Sequence, residues 1–244
     1  MSTSPVWTSI PLYYQARQPC HSQSDMIRIP SFSLAPSIFQ CYLLVCHLPH
    51  LYLQMTPTKI KNLKNQICGE FSEIFKLCQE VLEEAQKSSL IKATLETLLR
   101  FLNWIPLGYI FETTIIDLLL NRFLEAPDFR NVTLQCLAVI AALKVGVEYD
   151  PKFVILFQMV MTSINRMILP STNISDAYNA YNAAGDAGQE LVLNLSLFLS
   201  NFLSNHLRVV EGEATRDVLL NAHLYMVKVS QVDEREISEI CLEY

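Results

Sequence analysis

Two stretches of the chain carry the same helical pattern. Residues 90–99 read Leu-Ile-Lys-Ala-Thr-Leu-Glu-Thr-Leu-Leu, and residues 129–138 read Phe-Arg-Asn-Val-Thr-Leu-Gln-Cys-Leu-Ala. In both, apolar residues recur every three or four positions, which is the period of a helix with one buried face. The stretches lie about 40 residues apart, and repeats of that length with two helices each are typical of HEAT and armadillo solenoids. The sequence therefore predicts an all-α solenoid segment of antiparallel helix pairs, with a globular helical bundle as the alternative.

The helical period extends from Lys59 to the end of the chain. Apolar stripes run over residues 60–74, 91–105, 111–123, 132–143, 153–167, 191–202, 218–229 and 237–241. We expect helices to begin at Ser88-Ser89, Pro127-Asp128 and Asp150-Pro151, because Ser and Asp cap helices and Pro suits the first turn. The polar stretch 171–188 is expected to be a loop. The side chains expected to be buried are Ile91, Leu98, Phe111, Ile115, Val139, Phe157 and Phe198.

Residues 1–54 differ in composition from residues 55–244. The first part holds three charged residues, six of the eleven prolines and no glycine, whereas the second holds almost all the charge. Because frequent prolines interrupt helices, we expect residues 1–54 to be a leader that is disordered or arises from a mispredicted gene start. Its apolar run 37–49 is bracketed by prolines and is too short for a membrane span, which takes about 20 residues. Residues 55–244 are expected to form the helical segment.

Charge and cysteine content exclude several classes of protein. The chain has 18 basic and 24 acidic side chains, and this net charge of −6 argues against a nucleic-acid-binding surface. Seven cysteines are scattered without a C-x-x-C pair, which is typical of reduced thiols in an intracellular protein and not of a disulfide framework or a zinc site. Cys68, Cys78 and Cys136 fall in apolar helical stretches and are expected to be small core residues.

We assign no residue a catalytic, cofactor-binding or metal-binding role. His206 and His223 are far apart and have no carboxylate or cysteine at ligand spacing, and no motif for a catalytic nucleophile, phosphate loop or metalloprotease occurs. We therefore expect a protein that is not an enzyme and needs no cofactor.

Other short patterns have structural explanations. The L-x-x-L-L pattern at 95–99 is expected to serve the core, because a buried face cannot also dock in a partner's groove. Glycosylation patterns begin at Asn131, Asn173 and Asn194, and we interpret them as chance, since two lie in predicted helices. A solvated helix face is expected for Glu70, Glu73, Glu80, Glu83 and Glu84.

The last stretch of the sequence carries a fresh apolar face. Ile237, Ile240, Cys241 and Tyr244 follow Asp233-Glu234 at helical spacing. A solenoid needs a polar end repeat, so we expect a longer solenoid to cover this face. For the isolated chain, the uncovered face predicts self-association.

One long stretch resembles a known family. Residues 95–112 read Leu-Glu-Thr-Leu-Leu-Arg-Phe-Leu-Asn-Trp-Ile-Pro-Leu-Gly-Tyr-Ile-Phe-Glu. This is similar to a signature stretch of the exportins, the nuclear export receptors of the importin-β superfamily, and shorter stretches at 71–78, 193–199 and 236–244 support it. The similarity is expected to run from about Met55 to the last residue and to leave residues 1–53 unmatched.

The resemblance implies a receptor that shuttles between nucleus and cytoplasm. Its implied partners are cargo proteins with leucine-rich export signals, GTP-bound Ran and nucleoporins, and they include neither nucleic acid nor a membrane. About four repeats fit in this length, and the resemblance implies that they exclude the first Ran-binding repeats, the acidic loop and the signal groove with its reactive cysteine. The alternatives are another HEAT or armadillo scaffold, such as a phosphatase or adaptor subunit, and an all-α enzyme.

Overall fold

The computed structural model describes residues 57–102, 105–168, 179, 181–232 and 234–242. Side chains of residues 57 and 59–71 fall outside this description, as do the expected leader, Trp104 and Tyr244. The chain divides into two compact units, Met1–Ile67 and Cys68–Tyr244. Only the start of one helix is described in the first unit, so the architecture below is that of the second. The boundary expected at residue 54 remains a prediction.

All regular structure within the described ranges is helical. The helices are α1 (Pro57–Glu84), α2 (Ser88–Phe101), α3 (Leu107–Phe111), α4 (Ile115–Leu118), α5 (Arg130–Ala141), α6 (Asp150–Met167), α7 (Gly185–Val210), α8 (Arg216–Val229) and α9 (Arg235–Leu242). A π-helical turn, Leu119–Phe123, continues α4, and 3₁₀ turns lead into α6 and α8. The predicted all-α fold is confirmed.

The described helices form four consecutive groups, which we call repeats R1 (α1, α2), R2 (α3, α4, α5), R3 (α6, α7) and R4 (α8, α9). The last helix of each repeat, α2, α5, α7 or α9, belongs to layer 2, and the helices before it, α1, α3 with α4, α6 and α8, belong to layer 1. Within layer 2, α5 packs on α2, and α7 packs on both α5 and α9. The helices of R3 are antiparallel, because Phe153 stacks on His206 and Phe157 on Phe202, with ring centroids 4.0 and 4.5 Å apart. Helices stacked in chain order confirm the HEAT-type solenoid.

Contacts between neighbouring repeats show the repeat length. Cys136 Sγ in R2 lies 3.7 Å from the Leu95 carbonyl oxygen in R1, and these residues are 41 positions apart. The same separation joins R3 to R2 through the Arg166–Glu125 ion pair. Contacts between α7 and α5 instead span 55–63 positions. The predicted period of about 40 is thus confirmed for the R1–R2 joint and for the Arg166–Glu125 contact between R2 and R3. The long connection between α6 and α7 accounts for the larger separation between α5 and α7.

The expected core residues are buried. Each of the seven is at most 4% exposed: Ile91, Leu98, Phe111, Ile115, Val139, Phe157 and Phe198. Leu95 and Leu98 of the L-x-x-L-L pattern are also buried, whereas Glu73, Glu80, Glu83 and Glu84 are exposed as expected. The glycosylation patterns at Asn131 and Asn194 lie inside α5 and α7.

One expected helix cap and one expected helix start are corrected. Helix α2 begins at Ser88 as expected, but Lys87 is the residue that precedes it and neither Ser88 nor Ser89 caps it. Pro127-Asp128 belongs to a turn, in which the amides of Phe129 and Arg130 both donate to the Ala126 carbonyl at 3.0 and 2.9 Å. Helix α5 therefore begins at Arg130. Asp150-Pro151 does open α6, with the proline in its first turn.

The stripe 111–123 is not one helix. The Thr113 hydroxyl donates to the Tyr109 carbonyl at 2.6 Å and accepts a bond from the Ile115 amide at 3.4 Å. Such side-chain bonds compete with the helical ladder, and they separate α3 from α4.

The loop that we expect at residues 171–188 ends earlier in the structure than the sequence predicts. Residues 181–183 are helical and α7 begins at Gly185, whose φ of 66° lets the chain turn there. Gly188 lies inside α7, where a Cβ atom would come within 2.5 Å of the Ala184 Cβ. Residues 171–178 lie outside the described part.

Candidate functional surfaces

The described thiols belong to the helical core. Cys78 and Cys136 are buried, and burial raises the pKa of the Cys78 thiol to about 12 and that of Cys136 still further. Cys241 is half-buried, and its pKa is raised for the same reason. Thiols that resist ionisation are poor nucleophiles, so Cys78 and Cys136 are core residues as expected. Cys68 has no described side chain.

Each of the two helical histidines, His206 and His223, contacts neighbouring groups of the protein. His206 is 5% exposed, stacks on Phe153 and lies at a tilt against Phe202. Burial lowers the pKa of His206, opposed by the carbonyls of Ala141 and Leu143 and by Asp150, so the ring is neutral at pH 7. His223 Nδ1 lies 2.8 Å from the Leu219 carbonyl oxygen of its own helix. No cluster of three or more His, Cys, Asp or Glu side chains occurs among the described residues.

A row of amide side chains joins α7 to α5 in layer 2. Asn194 Nδ2 and Asn201 Nδ2 donate to the carbonyls of Asn131 and Ala138, at 3.5 and 3.1 Å. Donors and acceptors are each seven residues apart, so the two helices run parallel and in fixed register. At the start of α5, Asn131 Nδ2 also donates to Glu190 at 2.9 Å. We call this row the amide ladder.

Carbonyls near helix ends in layer 1 accept bonds from the following repeat. Arg122 donates to Leu82, Glu83 and Ala85 at the end of α1. Lys152 donates to the Phe111 carbonyl at the end of α3. The Tyr225 hydroxyl lies 2.6 Å from the Ile168 carbonyl just after α6. A helix leaves its last carbonyls without partners within the helix. At each joint of layer 1, a side chain of the following repeat donates a hydrogen bond to such carbonyls.

Helix α8 exposes apolar side chains on its outer side. Leu220, Leu224 and Val227 are 60%, 39% and 49% exposed and follow one another at helical spacing. They lie opposite Ala222, Met226 and Val229, which the sequence predicts as the core stripe and which are buried. We did not expect this second stripe, although its spacing in the sequence indicates it. No described helix is both long and apolar enough to cross a membrane.

Comparisons with known proteins agree with the helical repeats. A family model described as "Exportin 1-like protein" matches residues 45–137, and a model of the "Chromosome region maintenance or exportin repeat" matches residues 217–244. The first match begins before the compositional break expected at Gln54 and Met55. The second covers α8 and α9, the helices of R4.

Relatives in three kingdoms match the same share of the chain. Exportin-1 of Schizosaccharomyces pombe is 57% identical over 191 residues, which is 78% of this chain and 17% of the relative. Exportin-1 of Drosophila melanogaster is 48% identical over 191 residues, and Protein EXPORTIN 1A of Arabidopsis thaliana is 40% identical over 192, each again 78% of this chain and 18% of the relative. The chain thus spans less than a fifth of the relatives it matches. With family-model matches in R1, R2 and R4, a relative 57% identical over 78% of the chain and helical repeats in the described residues, the chain belongs to the exportin-1 family.

Proposed function

We propose that this chain is a segment of a nuclear export receptor. Exportins are transport receptors and not enzymes, and the identity of 57% to Exportin-1 over most of the chain carries the proposal. The receptor carries proteins with leucine-rich export signals from nucleus to cytoplasm together with GTP-bound Ran, and meets nucleoporins on the way.

Within such a receptor, the described repeats act as scaffold. Several of their polar side chains form bonds between repeats, in the amide ladder and at the helix ends of layer 1. A solenoid binds partners over a surface spread across many repeats, and stable protein interfaces bury about 1,200–2,000 Å². We therefore propose that this chain holds the repeats on either side in position and lacks the signal groove and most Ran contacts.

A chimaera tests the proposal in solution. The matching 191-residue stretch of the S. pombe Exportin-1 is replaced by that of this chain, and binding of a fluorescein-labelled export-signal peptide is followed by anisotropy with and without Ran-GTP. Retained binding that depends on Ran-GTP supports the proposal. A folded chimaera that no longer binds the peptide contradicts it.

The chain alone provides the second arm of the test. We expect no saturable submicromolar binding of the same peptide, with or without Ran-GTP, because four repeats offer only part of the surface that binding needs. Tight binding by the chain alone contradicts the scaffold assignment while leaving the export function in place. Another HEAT or armadillo scaffold is the alternative, and failure of the chimaera with a stable fold would favour it.

A further inference from the structure

The joint between R1 and R2 is held in layer 1 by polar contacts of Thr114 and Arg122 with the C-terminal part of α1. At one end of the segment 114–123, the Thr114 hydroxyl donates to Glu83 Oε1 at 2.9 Å and accepts a bond from Gln79 Nε2 at 2.8 Å. At the other end, Arg122 donates to the carbonyls of Leu82, Glu83 and Ala85. One short element thus binds both the carboxylate and the backbone of the same helical turn.

Local helix geometry supplies both contacts. Thr114 and Asp117 have the spacing of a capping box, yet no side chain caps α4, because the Thr114 hydroxyl bonds across the joint. Residues 119–123 form a π-helical turn, in which the Leu124 amide donates to the Leu119 carbonyl at 3.0 Å. Such wide turns are rare and occur frequently at functional sites.

Packing elsewhere makes this joint depend on those contacts. In layer 2, α5 packs less extensively on α2 than on α7. The amide ladder fixes the R2–R3 joint, whereas the weaker bond from Cys136 Sγ to the Leu95 carbonyl joins α5 to α2. Within layer 1, Phe75 and Tyr109 contribute an edge-to-face ring contact across the R1–R2 joint at 5.1 Å. Because the packing in layer 2 is less extensive here, the exposed polar contacts of layer 1 contribute more to closing the R1–R2 joint than such contacts contribute at the R2–R3 joint.

We propose that Thr114 and Arg122 form a latch on the last turn of α1, and that releasing it opens the R1–R2 joint in layer 1 while the rest of the solenoid stays packed. The latch consists of the Thr114–Glu83 contact and the three Arg122 bonds. This conformational device is independent of the proposed export function, because it concerns the angle between two repeats and not what they bind.

Two native thiols report the opening. Cys78 lies in α1, 6% exposed and one turn before the latch, and Cys136 lies in α5 of layer 2, fully buried. Cys136 lies at the same joint but in layer 2, where it contacts the Leu95 carbonyl. We therefore expect opening in layer 1 to expose Cys78 and not Cys136, whereas global unfolding exposes both thiols. Labelling by N-ethylmaleimide, followed for each cysteine by peptide mass spectrometry on the full chain, separates the two events.

Arg122→Ala is expected to speed the labelling of Cys78 roughly tenfold, since bonds to a charged donor are lost but the site is exposed to solvent. Labelling of Cys136 should not change. The matched control is Arg166→Ala, which removes an exposed ion pair between R3 and R2 and should affect neither thiol. Thr114→Val removes the bonds of Thr114 with Glu83 and Gln79, leaves the Arg122 bonds in place and should produce a smaller increase at Cys78.

Acceleration of Cys78 alone in Arg122→Ala supports the latch. Equal acceleration of both thiols, or no acceleration, overturns it. If Arg122→Ala does not fold, the labelling of Thr114→Val decides the question by the same criterion.

Discussion

Phe202 contacts several aromatic side chains at the centre of R3, and its replacement by alanine is expected to lower the free energy of unfolding strongly. The ring is fully buried and its centroid lies 4.5 Å from Phe157, 5.3 Å from His206, 5.8 Å from Phe198 and 6.1 Å from Phe153. A buried Phe→Ala change costs about 3–5 kcal/mol through lost burial and the cavity left behind. Ring pairs contribute about 0.5–1.5 kcal/mol each beyond burial. With four rings in contact, we expect Phe202→Ala to lie near the upper end, at about 4–5 kcal/mol.

Urea unfolding followed by circular dichroism measures this loss. With a slope of about 3 kcal/mol per molar urea, a loss of about 4 kcal/mol lowers the unfolding midpoint by about 1.3 M. Leu220→Ala is the matched control, because Leu220 is 60% exposed in the neighbouring repeat, and surface changes stay within about 0.5 kcal/mol. A Phe202→Ala variant as stable as Leu220→Ala would refute the packing of R3 described here.

Three further predictions concern single contacts or single residues. Asn201→Ala removes one bond of the amide ladder and should lower the free energy of unfolding by about 0.5–1.5 kcal/mol in urea, whereas Asn205→Ala, which breaks only a bond within α7, should cost less. Bonds from Gln79 and Thr114 lower the pKa of Glu83 below its ordinary value of 4.5, so an NMR titration of the carboxyl should show a midpoint below 4.5 that rises in Thr114→Val. The stabilisation from Glu83 is present above its unfolded-state pKa and is lost as the pH falls through its folded-state pKa; an unchanged midpoint in Thr114→Val contradicts the contact. Gly185→Ala forces an alanine to a φ of 66° and should cost about 1–2 kcal/mol by thermal unfolding.

Periodic features of the fold could be predicted from the sequence. The apolar stripes predict which faces are buried because every helix of a solenoid packs on a regular set of neighbours. Ile115 and Phe198 are examples, and both are fully buried as predicted. The duplicated stretches at 90–99 and 129–138 likewise predict that α2 and α5 occupy equivalent places in layer 2, which the contact between Leu95 and Cys136 confirms.

Features that depend on one side-chain bond could not be predicted in this way. The break between α3 and α4 depends on the Thr113 hydroxyl bonding to Tyr109, and a threonine in a helix usually leaves the ladder intact. The long connection before α7 conceals the partnership of Asn194 and Asn201 with α5, because these partners are 63 residues apart. The exposed stripe on α8 has the helical period too, but a period alone does not tell which of two apolar faces is covered.

Export in living cells tests the central claim most directly. In fission yeast, the Exportin-1 stretch that matches this chain is replaced by the residues of this chain, and the distribution of a fluorescent reporter bearing a leucine-rich export signal is measured. We predict that the reporter stays cytoplasmic, as with the parent receptor, because the repeats keep the spacing and register that the rest of the solenoid requires. Nuclear accumulation of the reporter, with the chimaera present at the parent's level, would contradict the assignment of this chain to an export receptor.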